Sequence, residues 1–139
     1  MGVSHNTINI STKGENDIVD ITNKIQDCIK KSSLKHGICC VFVPGSTGTI
    51  TTVEYEPGLQ KDIPEALDKI APRNQYYAHH ETWHDDNGRS HVKASLMGPS
   101  ITIPFQDKKL IHGTWQQIVF MELDTRARNR ILIVQLLGE

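Results

Sequence analysis

The strongest constraint on the fold is a set of nearly uninterrupted apolar segments, two of them near the C-terminal end. Residues 118–123 and 131–137 are short and rich in branched side chains, which is typical of β-strands. Residues 38–43 form a third such run, which predicts a strand buried on both faces. Four shorter segments, alternating or β-branched, predict further strands: residues 7–11, 49–54, 91–96 and 100–105.

Two other segments have the three- and four-residue spacing of an amphipathic helix. The first begins near Glu15, runs for about five turns before Gly37, and aligns Ile18, Ile21, Ile25, Cys28 and Ile29. The second aligns Ile63, Leu67 and Ile70 and ends at Pro72. We expect an irregular loop over residues 75–89, which has almost no apolar residues and contains the turn sequence Asp86-Asn87-Gly88. Two main helices on a mostly antiparallel β-sheet sandwich predict an α+β fold.

Length, charge and cysteine content narrow the class of protein. The 139 residues suit one domain over residues 1–139, and the 37% hydrophobic content suggests that a partner subunit completes part of the surface. A net charge of -1 argues against nucleic acid and anionic membranes as partners. There is no membrane-spanning run and no signal-peptide pattern at the start. The three cysteines, two of them adjacent, suit packed reduced thiols and a cytoplasmic location.

Histidines are concentrated in the polar segment that follows the second helix. Four of the seven, His79, His80, His84 and His91, fall within thirteen positions. Neutral imidazole binds zinc-like metals, and its pKa allows proton transfer near neutral pH. His80 and His84 also have the four-residue spacing of two ligands on one helical turn. A solvated loop with hydrogen-bonded histidines is the alternative, because no fixed metal-ligand motif is present.

Carboxylates and an amide stand beside these histidines. Asp85, Asp86 and Asn87 could orient metal ligands or act as general acid and base groups. They could also simply form a turn, which is the stronger interpretation for Asp85.

Small-residue loops form the second group of candidates. Gly45-Ser46-Thr47-Gly48 joins two predicted strands and carries hydroxyl and amide groups that can cradle a phosphate, although a hairpin loop explains it equally well. Gly98-Pro99-Ser100 raises the same two options. Trp115 is expected in the core or an interface, with Thr114 and Gln116 beside it as candidate pocket residues. Arg126, Arg128 and Arg130 alternate as in a strand and could bind an anion, or pair with Asp124 at the surface for under about 1 kcal/mol.

Several spaced motifs together resemble one family over residues 38–138. They are Gly45-Ser46-Thr47, Glu54, the pair Tyr77 and His79, Asp86-Asn87-Gly88 with Ser90-His91, Leu96 with Gly98 and Ser100, and Gly113-Thr114-Trp115-Gln116. The chain thus resembles the YjbQ-like family, also called secondary thiamine-phosphate synthases. The resemblance implies a compact α+β homotrimer with polar sites near the subunit boundaries.

The same resemblance implies specific roles for site residues. His79 and His91 would belong to a metal or anion site, with Asn87 and Glu54 close by. A phosphate-like ligand would be surrounded by Ser46, Thr47, Ser100, Thr114 and Gln116. Many relatives have histidine where this chain has Gly45, so the third metal ligand is open among His80, His84 and His112.

The expected function is therefore an enzyme of the thiamine-phosphate synthase type. It would join a hydroxymethylpyrimidine diphosphate to a thiazole phosphate and release pyrophosphate, with catalytic residues His79, Asn87, His91 and Glu54. The expected cofactor is a divalent metal such as zinc, held by His79, His91 and His84. The alternatives are a metal-assisted hydrolase of a small phosphorylated metabolite and a non-catalytic trimeric protein that binds a metal or metabolite.

Overall fold

The chain folds into eight strands and four helices in a computed structural model that describes all 139 residues. In chain order the elements are β1 (Gly2–Ser11), β2 (Ile18–Asp20), α1 (Thr22–Lys31), β3 (Gly37–Phe42), β4 (Gly48–Val53), α2 (Leu59–Ile70), α3 (His79–Trp83), α4 (Gly88–Met97), β5 (Ser100–Gln106), β6 (Lys109–Leu110), β7 (Gln117–Glu122) and β8 (Asn129–Gly138). The predicted α+β class is confirmed, and all but one of the predicted strands are present.

The strands form two sheets in which every pair of neighbours is antiparallel. One sheet has the order β1-β8-β3-β5-β6 and the other the order β2-β7-β4. The main core lies between the sheets and includes Phe105 of the first, Phe120 of the second, and Ile25 and Ile29 of α1. A second cluster on the three-stranded sheet includes Leu67 of α2 and Ala94 of α4. The three-stranded sheet therefore has apolar contacts in both clusters.

The first helix begins later than its apolar spacing predicts. The prediction from Glu15 is wrong for residues 18–20, because Ile18 pairs with Met121 and Asp20 with Val119 as strand β2. Helix α1 starts at Thr22, whose backbone N–H donates to Asp20 Oδ1 at 3.0 Å. The apolar spacing spans the boundary, but Ile18 packs in the second cluster, whereas Ile25 and Ile29 pack in the main core.

The predicted strand over residues 91–96 is wrong, since this segment belongs to helix α4. Its buried side chains follow helical spacing but are mostly polar: Arg89, Ser90, Lys93 and Ala94. A search for apolar periodicity therefore misses the helix.

The segment over residues 75–89 is not wholly irregular, because it contains the short helix α3. The chain thus has four helices, two more than the two main helices predicted. Positive φ angles occur at His84 and Asp86 rather than at Asn87 or Gly88. Gly88 is required for another reason: a Cβ there would lie 2.5 Å from Tyr77 Cβ.

The loop at Gly45 is not a hairpin, because its flanking strands lie in different sheets. A hairpin does occur at Asp107 and Lys108, where both φ angles are positive as in a type I′ turn. Cys28, Cys39 and Cys40 are free thiols, and burial raises the pKa of Cys39 to about 12. None of the four helices has the length and apolar composition needed to cross a bilayer.

Candidate functional site

Two predicted histidines meet where α3 approaches α4. His79 is the first residue of α3, and His91 lies one turn into α4. Their ring centroids are 4.4 Å apart, with the ring planes inclined by 48°. Both side chains are partly buried. Two imidazoles are therefore held together at the surface, where a small ligand has access to them.

Asn87 and Asp85 complete the polar surroundings of this pair. His79 Nε2 lies 3.5 Å from Asp85 Oδ1. With its amide nitrogen turned toward His79, Asn87 donates to His79 Nε2 at 3.1 Å and to Asp85 Oδ1 at 2.8 Å. In the opposite orientation the nitrogen donates to Asp124 Oδ1 at 3.4 Å. The amide of Asn87 therefore lies between His79 and Asp85 on one side and Asp124 on the other, and its nitrogen donates to one side at a time.

The surroundings of His91 keep its imidazole neutral. Burial is the main cause of its lowered pKa, because burial disfavours the charged form, and the neighbouring His79 adds to the effect. Asp85 and Asp124 oppose the shift only in part. Since the unperturbed pKa of histidine is about 6.5, His91 is uncharged at pH 7 and has a nitrogen lone pair for a proton or a metal.

Asp124 contacts residues from several parts of the site. From the sequence it is expected only as an ion-pair partner of an arginine. Its carboxylate accepts hydrogen bonds from the Thr47 hydroxyl at 3.1 Å, the Thr125 N–H at 2.8 Å and Arg128 Nη1 at 2.6 Å. Burial would raise the pKa of Asp124, but these donors, with Asn87, lower it overall. Thr47, Thr125 and Arg128 therefore hold an ionised carboxylate beside Asn87.

A fully buried ion pair lies beneath Thr47. Arg130 donates to Glu122 through Nε and Nη2 and to the Thr47 hydroxyl at 2.9 Å. Thr12 also donates to Glu122, at 2.8 Å. Arg130 is 5% exposed and Glu122 is 0% exposed, so the expectation of surface ion pairing is wrong for this arginine. The alternation of Glu122 and Asp124 with apolar residues, followed by three arginines, is the sequence signal for this network.

The other histidines lie away from the pair. His84 ends α3 and packs edge-to-face on His80, with ring centroids 5.4 Å apart. His80 Nδ1 accepts the Asp86 N–H at 3.3 Å, and His112 Nδ1 lies 2.7 Å from the Gln116 carbonyl. No three His, Cys, Asp or Glu side chains converge in an arrangement that would hold a metal ion. Within one chain, His79 and His91 thus lack a third histidine.

Ser46 lines a cavity of about 200 Å³ beside α4, together with Gly45, Gly48, Ala94, Ser95 and Pro99. Ser95 lies four residues after His91, so the cavity and the histidine share one side of the helix. Ser100, the residue after Pro99, is exposed at the start of β5.

The remaining predicted residues lie in two other cavities. Glu54 and Thr114 line one of about 310 Å³ that also includes Trp115, whose 74% exposure excludes it from the core of this chain. Gln116 lines another of about 300 Å³ and donates to Thr52 Oγ1 at 3.2 Å. A single chain therefore does not bring these three predicted residues to the histidine pair.

Known proteins match the chain over almost its whole length. The family model described as "UPF0047 protein YjbQ-like" matches residues 6–139. A UPF0047 protein of Archaeoglobus fulgidus is 33% identical over 126 residues, which cover 91% of this chain and 96% of the relative. One from Methanocaldococcus jannaschii is 37% identical over 131 residues, covering 94% and 91%.

Solved structures show the same fold. A YbjQ-like protein of unknown function from Sulfolobus solfataricus aligns with a TM-score of 0.91 at 34% identity, covering 99% of both chains. An uncharacterized YjbQ/UPF0047 protein from Clostridium acetobutylicum aligns with a TM-score of 0.81 at 37% identity, covering 94% of this chain and 99% of that one. The resemblance carried by the sequence motifs is thus confirmed, and the chain belongs to the UPF0047 family of YjbQ-like proteins.

Proposed function

We propose that this protein is an enzyme that acts on a small phosphorylated metabolite at the paired imidazoles of His79 and His91. The supporting observation is the pair itself: two rings 4.4 Å apart, partly buried, with a carboxylate and an amide on one edge. A purely structural role would not require a carboxylate and an amide beside two paired imidazoles. Lowered histidine pKa values in such clusters are typical of functional sites.

Each residue near the pair has a role in this proposal. In hydrolysis, His91, neutral at pH 7, accepts a proton from the attacking water, and His79 stabilises the charge that develops. In the synthase reaction the attacking thiazole nitrogen carries no proton, and the two imidazoles instead donate N–H groups to the departing diphosphate. Asn87 orients the substrate through its side-chain amide. Ser46 holds the phosphate oxygens through its hydroxyl, and Thr47 does so through its backbone N–H, because the Thr47 hydroxyl already donates to Asp124. Glu54, Ser100, Thr114 and Gln116 stay in the proposal as predictions from the family resemblance.

The reaction that we favour is of the thiamine-phosphate synthase type, in which a diphosphate leaves and a carbon–nitrogen bond forms. This choice rests on the resemblance described above. The second candidate is metal-assisted hydrolysis of a small phosphorylated metabolite, because the chain has no aspartate cluster of the kind used for magnesium-dependent diphosphate displacement. Binding without turnover is the third candidate.

A divalent metal such as zinc remains part of the proposal. His79 and His91 fit it as imidazole ligands, but the donor set within one chain is incomplete. The third ligand would be His84 after a local rearrangement, or a group from a neighbouring subunit. When bound, such an ion would offset negative charge on a phosphate oxygen. A metal-bound His91 would have no free lone pair, so its role as a proton acceptor applies to the pair without a metal.

We also propose that the protein works as a homotrimer in the cytoplasm. The outer face of the five-stranded sheet exposes Val3, Ile38, Phe42, Ile131 and Leu137. Exposed apolar residues on neighbouring strands are typical of subunit interfaces, and the trimeric state follows from the resemblance.

Site-directed variants and metal analysis test the proposal together. His79→Ala and His91→Ala are compared with His5→Ala, a histidine on β1 that contacts only Gln135 among side chains. Turnover of pyrimidine diphosphate with thiazole phosphate, and of phosphate esters, is followed by phosphorus NMR, and metal is counted per chain. We expect turnover to fall at least 100-fold in both site variants and to remain in His5→Ala. Loss of metal in the same two variants would place the ion at the pair, whereas equal turnover in all four proteins would refute the proposal.

A further inference from the structure

Three successive backbone N–H groups in the loop between β3 and β4 have no acceptor within the chain. The amides of Gly45, Ser46 and Thr47 donate no hydrogen bond to backbone or side-chain atoms. Thr47 is nevertheless buried, where an unpaired N–H is costly. Consecutive free amides in a turn form a concave donor surface that suits an anion.

One nitrogen of the buried Arg130 guanidinium faces the same loop. Nε and Nη2 are used by Glu122 and Thr47, whereas Nη1 donates no hydrogen bond within the chain and is not among the atoms sealed from solvent. A Cβ added to Gly45 would lie 3.0 Å from Nη1. The absence of a side chain at Gly45 therefore leaves this charged donor uncovered.

The position of the loop places these donors next to the histidine pair. Gly45, Ser46 and Gly48 line the cavity of about 200 Å³ on the side of α4 that carries Ala94 and Ser95. These two residues follow His91 by three and four positions, which is about one helical turn. Thr49 Oγ1 donates to the Gly98 carbonyl at 2.6 Å and fixes β4 to the end of the helix.

We propose that Arg130 Nη1, the three free amides of the Gly45–Thr47 loop and the Ser46 hydroxyl form a phosphate-binding subsite. This inference rests on the proposed function and extends it, because it assigns the cationic partner of the substrate phosphate. Two carboxylates lie near the Thr47 side chain, and each already forms an ion pair: Glu122 with Arg130, and Asp124 with Arg128. Paired carboxylates leave the free amide and Nη1 hydrogens to bind the incoming anion.

The test measures binding of inorganic phosphate by titration calorimetry. Gly45→Ala places a methyl group against Nη1, which cannot move away because the rest of the guanidinium is held by hydrogen bonds. We expect phosphate affinity to fall about tenfold or more, the scale of one charge-assisted hydrogen bond. Ser46→Ala removes one neutral donor at an exposed position, and we expect a loss of about threefold. Gly2→Ala is the matched control, because Gly2 pairs with Gly138 at the opposite end of β8 from Arg130.

The outcomes separate this subsite from the proposed reaction. Phosphate binding that survives in His91→Ala but weakens in Gly45→Ala supports the subsite, whether or not turnover is found with any substrate. Equal binding in wild type and Gly45→Ala, or no phosphate binding by the wild type, overturns it even if turnover depends on the histidines. If Gly45→Ala fails to fold by circular dichroism, unchanged binding in Ser46→Ala overturns the subsite in its place.

Discussion

Helices α1 and α4 have the same length, ten residues, but are held in the molecule by different forces. Helix α1 buries Ile25 and Ile29 in the main core. Helix α4 buries Arg89 and Lys93, whose charges are paired with residues outside the helix. Arg89 contacts Glu15 through two hydrogen bonds of 2.8 and 3.0 Å, and Lys93 contacts Asp68 of α2.

The difference shows that one helix stabilises the fold whereas the other positions the residues of the candidate site. Apolar burial is strong but non-directional, so α1 stabilises the sandwich without fixing any functional group. Ion pairs are directional and contribute little net free energy once desolvation is counted. Helix α4, which carries His91 and begins at Asn87, is oriented by such pairs. The four predictions below test this contrast, from the largest expected effect to the smallest.

The largest effect is expected in α1. Ile25→Ala removes a fully buried side chain, and we expect the free energy of unfolding to fall by about 3–4 kcal/mol through lost burial and the cavity left behind. Urea unfolding followed by circular dichroism measures it, with the exposed Lys24→Ala on the same helix as the control. A loss no larger than that of the control would contradict the assignment of α1 as a core element.

A smaller loss is expected when α4 loses its main ion pair. Arg89→Met leaves the Glu15 carboxylate with Arg73 as its only charged partner. We expect the free energy of unfolding to fall by about 2–3 kcal/mol, less than the usual cost of breaking a buried pair, because Arg73 still compensates the charge. Arg73 contacts the same carboxylate at 2.7 Å but is exposed. Arg73→Met should therefore lower the free energy of unfolding by under about 1 kcal/mol. Equal effects of the two substitutions in urea unfolding would show that burial of Arg89 does not matter.

Because an ion pair holds α4, the free energy of unfolding should also depend on pH. Burial raises the pKa of Glu15, but Arg89 and Arg73 lower it below its usual value overall. The folded protein therefore binds fewer protons than the unfolded chain below about pH 4.5, and stability falls as the pH falls through the folded pKa. In Arg89→Met this loss should be smaller, because the pKa of Glu15 rises toward its unfolded value. Unfolding midpoints between pH 6 and 3 measure the difference; parallel curves would contradict it.

The smallest effect is expected at Lys93, which is 1% exposed. Lys93→Met keeps most of the side-chain volume and removes a buried charge, while Asp68 at the half-exposed end of the pair can be solvated. We expect stability within about 1 kcal/mol of the wild type, or slightly higher. Thermal unfolding checks this, with Lys69→Met, an exposed lysine of α2, as the control. A loss above about 3 kcal/mol would mean that the ion pair contributes substantially to stability.

Much of the sheet framework could be predicted from the sequence, because its strands are apolar. The runs at residues 118–123 and 131–137 become β7 and β8 almost residue for residue. Prediction was wrong where the buried side chains are polar, as at Arg89 and Lys93, because only the folded chain supplies their partners. It was also wrong at Ile18, because this strand residue continues the helical spacing of α1 but packs in the second cluster.

The candidate site was predicted in part. Composition pointed to the histidine-rich segment and the family resemblance to His79, His91 and Asn87, and the structure brings these three together. Asp124 was expected only as an ion-pair partner, and Arg130 only as one of three arginines that could bind an anion. Their contacts with Thr47 join residues 77 and 83 positions apart in sequence. Local spacing has no information about such contacts.

The Glu122–Arg130 pair joins the last residue of β7 to the second residue of β8, and these strands belong to different sheets. The two sheets share no backbone ladder, so this buried pair is a direct bond across the seam of the sandwich. Separating the sheets at this end must break it, and the loop at Thr47 would lose its support in the same event. Amide hydrogens of β7 should therefore exchange only through global opening. Those of α3, which has no buried residue, should exchange through local fluctuations.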